Sequence, residues 1–326
     1  MRDVSSSPWF SGSPWPVGAD LDSLVAGPAI PVTTLIVFVL TCLLPLAYVA
    51  KTWFAPLWLQ LTFFCVTFGT LVGWPPVVET LFFDFLGLFA DWPRSYFLFT
   101  NPLLVHDYAA IAVVVCQFLY LTYRQNPPIL ELIVILVLSH GAYDYLGMVF
   151  GFAYAATAFS RGFPEGWKPV AWTILKRLIF SGVVVIAIAG VNYWVYFAVI
   201  GELLAITDVE LLGGVSRYID NNILWFRSII ANMITLIVLS LAAGGIIGLL
   251  HRVLAGGKIE DWDQYRRELC IAGGIFVGFM ITFAVGFIAV PYPSDMGRQY
   301  APLMVICVMI AARVALGFRA KSRYRP

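Results

Sequence analysis

Charge is what this sequence has least of. Only 12% of its 326 residues are Asp, Glu, Lys or Arg, about half the share of an ordinary soluble domain. Too little charge is available to coat a water-facing surface. The formal net charge is +1, which gives no basis for a nucleic-acid partner. Cysteine pairs are missing too. Cys42, Cys65, Cys116, Cys270 and Cys307 stand singly in apolar segments, with no CxxC and no Cys/His spacing, so they read as small packing residues. Short stretches of alternating polarity are absent, which removes an outer-membrane barrel. No basic stretch followed by a short apolar core opens the chain, so the start does not read as a cleaved signal peptide. Histidine is scarce: His106, His140 and His251 are all there is.

What the sequence does have is apolar length. It is 60% hydrophobic with a mean hydropathy of +0.86, and runs of 18 or more apolar residues recur, each able to span a bilayer. The expected fold class is all-α: a polytopic transmembrane helical bundle of about nine spans. The spans read as 30–50, 54–73, 76–91, 106–123, 128–158, 172–200, 223–251, 269–290 and 299–317. The third is short enough to be a half-helix or re-entrant piece. The fifth is long enough to be tilted, or broken near Gly141 or Gly147. Residues 1–29 read as a surface tail with Trp9 and Trp15 as interfacial anchors. Residues 30–160 form a helical core, and 161–326 add further transmembrane helices and a C-terminal tail.

Positive charge orients the spans. Arg319, Lys321, Arg323 and Arg325 lie in the tail, Arg252, Lys258, Arg266 and Arg267 in the loop 252–268, and Arg161, Lys168, Lys176 and Arg177 in the loop 160–177. Simple crossings put all three in the cytoplasm. The acidic loop 201–222 and the N-terminus then lie outside. Arg124 falls on the wrong side in this count.

Ionisable residues in apolar context are the candidate chemistry. His140 and Asp144 stand four residues apart in the fifth span, a spacing that shares one face of a continuous helix. His106 and Asp107 open the fourth span, and Glu79 opens the third. Glu131 is nine residues before His140 and faces away from it, as an interfacial carboxylate. Lys176 and Arg177 are expected to snorkel to the surface. His251 reads as a basic residue at a helix C-terminus. Two histidines with carboxylates on neighbouring helices match two alternatives: a hydrogen-bonded pair that joins helices, or a divalent-metal site, zinc for example, with His106, His140 and Asp144 as ligands. In the second case a metal-bound water or a carboxylate such as Glu79 would supply the base.

At these residues the sequence resembles the PrsW group of intramembrane proteases, within the superfamily of CAAX-processing and Abi-type membrane endopeptidases. Ser139-His140-Gly141-Ala142-Tyr143-Asp144-Tyr145 is similar to the family's last motif, of His-Gly-Ser-Tyr-Asp-Phe type. Val105-His106, followed by Ala109 to Tyr123 and Arg124, is similar to its preceding His-led helix. The likeness covers roughly residues 50–150. It implies a multi-pass protein of the cell membrane, the inner membrane in a bacterium. Its site would be Glu79, His106, His140 and Asp144, and its substrates membrane-anchored proteins. The family's Glu-Glu-x-x-Lys motif has no counterpart here, since residues 51–70 hold no glutamate. That departure fits a non-enzymatic member acting as a subunit of a membrane complex, with the bilayer and a membrane protein as partners. An active metal-dependent endopeptidase is the alternative. A transporter or channel using Asn192, Arg227 and Asn232, or a haem between His106 and His140, are further ones.

Overall fold

The computed structural model describes residues 32–54, 56–72, 105–142, 144–162, 166–200, 234, 237–254, 261–289 and 300–317. The chain falls into two units, residues 1–41 and 42–326, and the contacts below belong to the second. Every regular element among the described residues is helical. In chain order these are α1 (Val32–Trp53), α2 (Leu57–Val72), α3 (Val105–Tyr123), α4 (Ile129–Ala142), α5 (Asp144–Ala156), a 3₁₀ turn (Thr157–Arg161), α6 (Trp167–Ile200), α7 (Ile237–Leu254), α8 (Trp262–Ala289) and α9 (Tyr300–Gly317). All-α is therefore the fold class. Two stretches, Trp167–Val191 of α6 and Ile237–Leu254, are long and apolar enough to cross a bilayer.

The helix ends follow local chemistry. Pro127 and Pro128 lie just before α4, where a missing N–H and a fixed φ suit a helix start. Asp261 caps α8, its Oδ1 accepting from the amides of Asp263 and Gln264 at 2.9 Å each. Gly162, at φ +71°, closes the 3₁₀ turn by donating its N–H to the Phe159 carbonyl, a conformation that suits glycine.

Small residues let the helices approach. α8 crosses α5 through Gly274 and Gly278, where an added Cβ would stand 2.6 Å from the Ala156 Cβ and 2.9 Å from the Val149 Cα. α7 runs alongside α9 through Gly244 and Gly248, where it would stand 2.9 Å from the Val308 Cα and 2.7 Å from the Ala315 Cβ. Ser240 Oγ meets Met304 Sδ at 3.2 Å in the same register, so α7 and α9 are parallel with a constant offset of 64 residues. Both seams are Gly-x-x-x-Gly pairs, which admit close backbone approach. Packing of α8 and α9 on α3 and α5 gives the described parts of residues 42–160 and 161–326 a common core. Phe118, Leu121, Phe150, Ile275, Phe279 and Leu303 are buried in it.

One end of the bundle gathers positive charge. The C-terminal end of α1, the start of α4, the end of α5, the start of α6, the end of α7, the start of α8 and the end of α9 all meet there. Every described Lys or Arg side chain belongs to it: Lys51, Arg124, Lys168, Lys176, Arg177, Arg252, Arg266, Arg267 and Arg313. Exposed aromatics share the level, including Tyr48, Tyr123, Trp167, Trp172 and Trp262.

Candidate functional site: a helical hairpin with a polar tip

The long fifth apolar run is not one helix. α4 ends at Ala142 and α5 begins at Asp144, and the chain folds back between them. A Cβ at Gly147 would stand 3.3 Å from the His140 Cβ and 3.6 Å from the Leu136 carbonyl. In an unbroken helix residues 136 and 147 would lie about 16 Å apart along the axis. The sequence expectation of a break near Gly141 or Gly147 thus becomes a full reversal. His140 and Asp144 lie on different helices, and the four-residue spacing no longer implies a common face. Gly147 is the position where α5 comes close enough to pass over His140, with Val185 of α6 at 3.1 Å from that same added Cβ.

Gln117 holds the two arms. Its Nε2 donates to Ser139 Oγ of α4 at 2.8 Å and to the Leu146 carbonyl of α5 at 3.2 Å. A backbone carbonyl only accepts, so the amide orientation is fixed by Leu146. Gln117 is 3% exposed and His140 5%. Among the described residues Gln117 Oε1 has no hydrogen-bond partner. The tip lies part-way along its neighbours. The Tyr145 ring is 5.9 Å from Phe279, and α8 continues ten residues beyond Phe279 while α6 continues fifteen beyond Val185.

The open ends of the hairpin are secured by arginines. Arg177 of α6 reaches inward: its Nη1 donates to the Tyr154 carbonyl at 3.1 Å and to Thr157 Oγ1, and its guanidinium lies 4.6 Å over the Tyr154 ring. Arg177 is held there because the last carbonyls of α5 need donors and the ring face attracts a cation. Lys176 instead lies 5.2 Å over the Trp172 ring. Arg267 serves α3 in the same way, with Nε donating to the Leu121 carbonyl at 2.7 Å and Nη2 to the Arg124 carbonyl at 3.0 Å. Arg124 forms an ion pair with Glu131 at 2.9 Å, and Tyr120 donates to the same carboxylate at 2.7 Å. The hydrogen bond and charge of Glu131 push the Arg124 pKa up from its ordinary value.

Beneath these caps lies a buried ion pair that the linear pattern does not reveal. Arg313 Nε meets Glu268 Oε2 at 2.5 Å, with side-chain exposures of 14% and 3%. Gln264 Nε2 donates to the other oxygen at 3.0 Å. The Arg313 guanidinium also lies over Trp53 and Tyr265, at 5.3 and 5.4 Å. The available signal was an arginine inside the last apolar run and a glutamate beginning the one before it. Ionisable groups at such places are costly and therefore informative.

The four sequence-derived site residues are distributed as follows. Glu79 lies outside the described residues. His106 is the second residue of α3 and Asp144 the first of α5, and the side chains of both lie outside those described. His140 is buried next to Ser139, which Gln117 holds. The helical rise from Gln117 back to position 106 is about 16 Å. Among the described residues no three His, Cys, Asp or Glu side chains come together as metal ligands. His251 is buried, with Phe54 edge-on at 5.2 Å. Neither of its ring nitrogens has a hydrogen-bond partner among the described residues. Comparison with protein-family models, with curated proteins and with solved structures returns no match.

Proposed function

We propose that the protein is a multi-span membrane protein acting as a non-enzymatic subunit of a membrane complex, with a PrsW-like core formed by residues up to about 160. The observation that carries this reading is where the buried polar side chains are spent. Gln117, Arg177 and Arg267 hold helix ends, and Glu268 and Arg313 hold each other. Such side chains join helices in lipid.

Membrane residence is supported by α6. Within its apolar Trp167–Val191 stretch only Ser181 is buried, and Ile179, Val183 and Ile186 face outward. In water this would be a large uncovered apolar face; in lipid it costs nothing. α6 is about 51 Å long, more than a bilayer's hydrocarbon core of about 30 Å. Its outer face therefore suits lipid and a partner helix together. In the proposed topology α1, α2, α3, α6, α7, α8 and α9 cross, while α4–α5 enters and leaves at the basic end. That end faces the cytoplasm by the positive-inside rule, as does the C-terminus. Arg124 then joins the other positive residues, and its misplacement in the sequence count disappears.

A second reading, a metal-dependent endopeptidase acting on membrane-anchored proteins, is favoured by the buried His140 beside the hairpin turn and by Asp144 opening α5. Gentle extraction followed by affinity purification and metal analysis separates the two. The subunit reading expects a partner protein in fixed stoichiometry, and His140→Ala purifying with the same partner. A solitary, zinc-loaded protein that hydrolyses a transmembrane peptide, and loses that activity in His140→Ala, would overturn it.

A further inference from the structure

A cavity of about 450 Å³ opens at the basic end, between the end of α3, the 3₁₀ turn and the start of α8. That volume lies within the range of small-ligand sites. Its walls carry charges of both signs: Arg266 and Arg267 against Asp261 and Asp263, with Gln125 and Gln264 as neutral donors and acceptors. Arg266 holds Asp263 through one long ion pair of 3.2 Å, and both side chains are open, at 53% and 89% exposure. A pair of that kind is weak and is exchanged at little cost. The cavity is also at a particular depth. Exposed Tyr123 lines it and exposed Trp262 stands in the chain between its lining residues Asp261 and Asp263, and exposed Tyr and Trp rings mark the level of lipid headgroups.

We infer that this cavity binds the headgroup of a zwitterionic aminophospholipid. The phosphodiester takes the guanidinium of Arg266 and the Gln125 amide, and the primary ammonium takes Asp263, so each member of the exposed pair exchanges its partner for a group of the same sign on the lipid. Balanced wall charge favours such a headgroup over an anionic one, which would leave the aspartates facing negative charge. The inference rests on the membrane reading above.

The test uses full-length protein in nanodiscs containing phosphatidylethanolamine, phosphatidylcholine and phosphatidylglycerol, with retained lipid read by native mass spectrometry. Phosphatidylethanolamine should be retained about tenfold over phosphatidylglycerol, the ratio expected of one additional charge-assisted hydrogen bond. Asp263→Asn should lose that preference, whereas Arg266→Ala should lower the retention of all three phospholipids and leave phosphatidylethanolamine ahead of phosphatidylglycerol. Gln125→Trp, which fills the cavity without touching a described hydrogen bond, should lose retention altogether with an unchanged thermal midpoint. Glycerophosphoethanolamine should displace the lipid where inorganic phosphate does not. Equal retention of the three lipids, retention unchanged in Gln125→Trp, or displacement by inorganic phosphate alone would overturn the inference. A chain that carbonate washes off the membrane would sink the membrane reading itself, whereas an embedded chain with indifferent lipid retention sinks only this site.

Discussion

Glu268 and Arg313 show how much one buried pair carries in this protein. Their ion pair ties the start of α8 to the end of α9, and through the Trp53 ring it reaches α1. Removing one partner leaves the other charge buried and uncompensated, a loss of about 3–5 kcal/mol. Glu268→Ala should therefore lower the unfolding free energy in micelles by about that amount, and a Glu268→Leu/Arg313→Met double variant should recover most of it. A single variant with unchanged stability would show that the pair is solvated. Both residues are plain in the sequence, yet nothing in their spacing pairs them. Arg267 and its neighbours look like loop charge, because one dimension does not show that Arg267 turns onto the Leu121 carbonyl 146 residues away. The buried state of His140 was legible from its setting in an apolar run. Its surroundings were not, since they depend on the chain reversing at the next turn.

At the scale of elements, helix class and most boundaries were legible, because apolar length and flanking prolines dictate them. The fifth run was not. Spacing rules assume a continuous helix, and a reversal within two residues of Ala142 leaves the composition of the run unchanged. The Gly-x-x-x-Gly seams carried a usable signal in the sequence. At Gly248 an added methyl would meet the Ala312 backbone and the Ala315 Cβ, whereas at Gly190 it would meet nothing within 4 Å. Gly248→Ala should force α7 from α9 and lower the thermal midpoint. Gly190→Ala should be neutral or raise stability by up to about 1 kcal/mol, the helix-propensity advantage of alanine over glycine. Equal effects at the two sites would mean that α7 and α9 do not pack through this seam.

For the whole molecule, the organising feature is an end that gathers every described lysine and arginine, with a hairpin whose two arms both return to it. A single crossing helix over 128–158 would place Gln125 and Phe159 on opposite faces of the membrane. The hairpin places both at the basic end. Single cysteines at Gln125 and Phe159, in a background with the five native cysteines replaced, can be labelled with a membrane-impermeant maleimide in intact cells and in inverted vesicles. The hairpin predicts that both sites react in inverted vesicles and are protected in intact cells. Labelling of one site in intact cells and of the other only in inverted vesicles would contradict it.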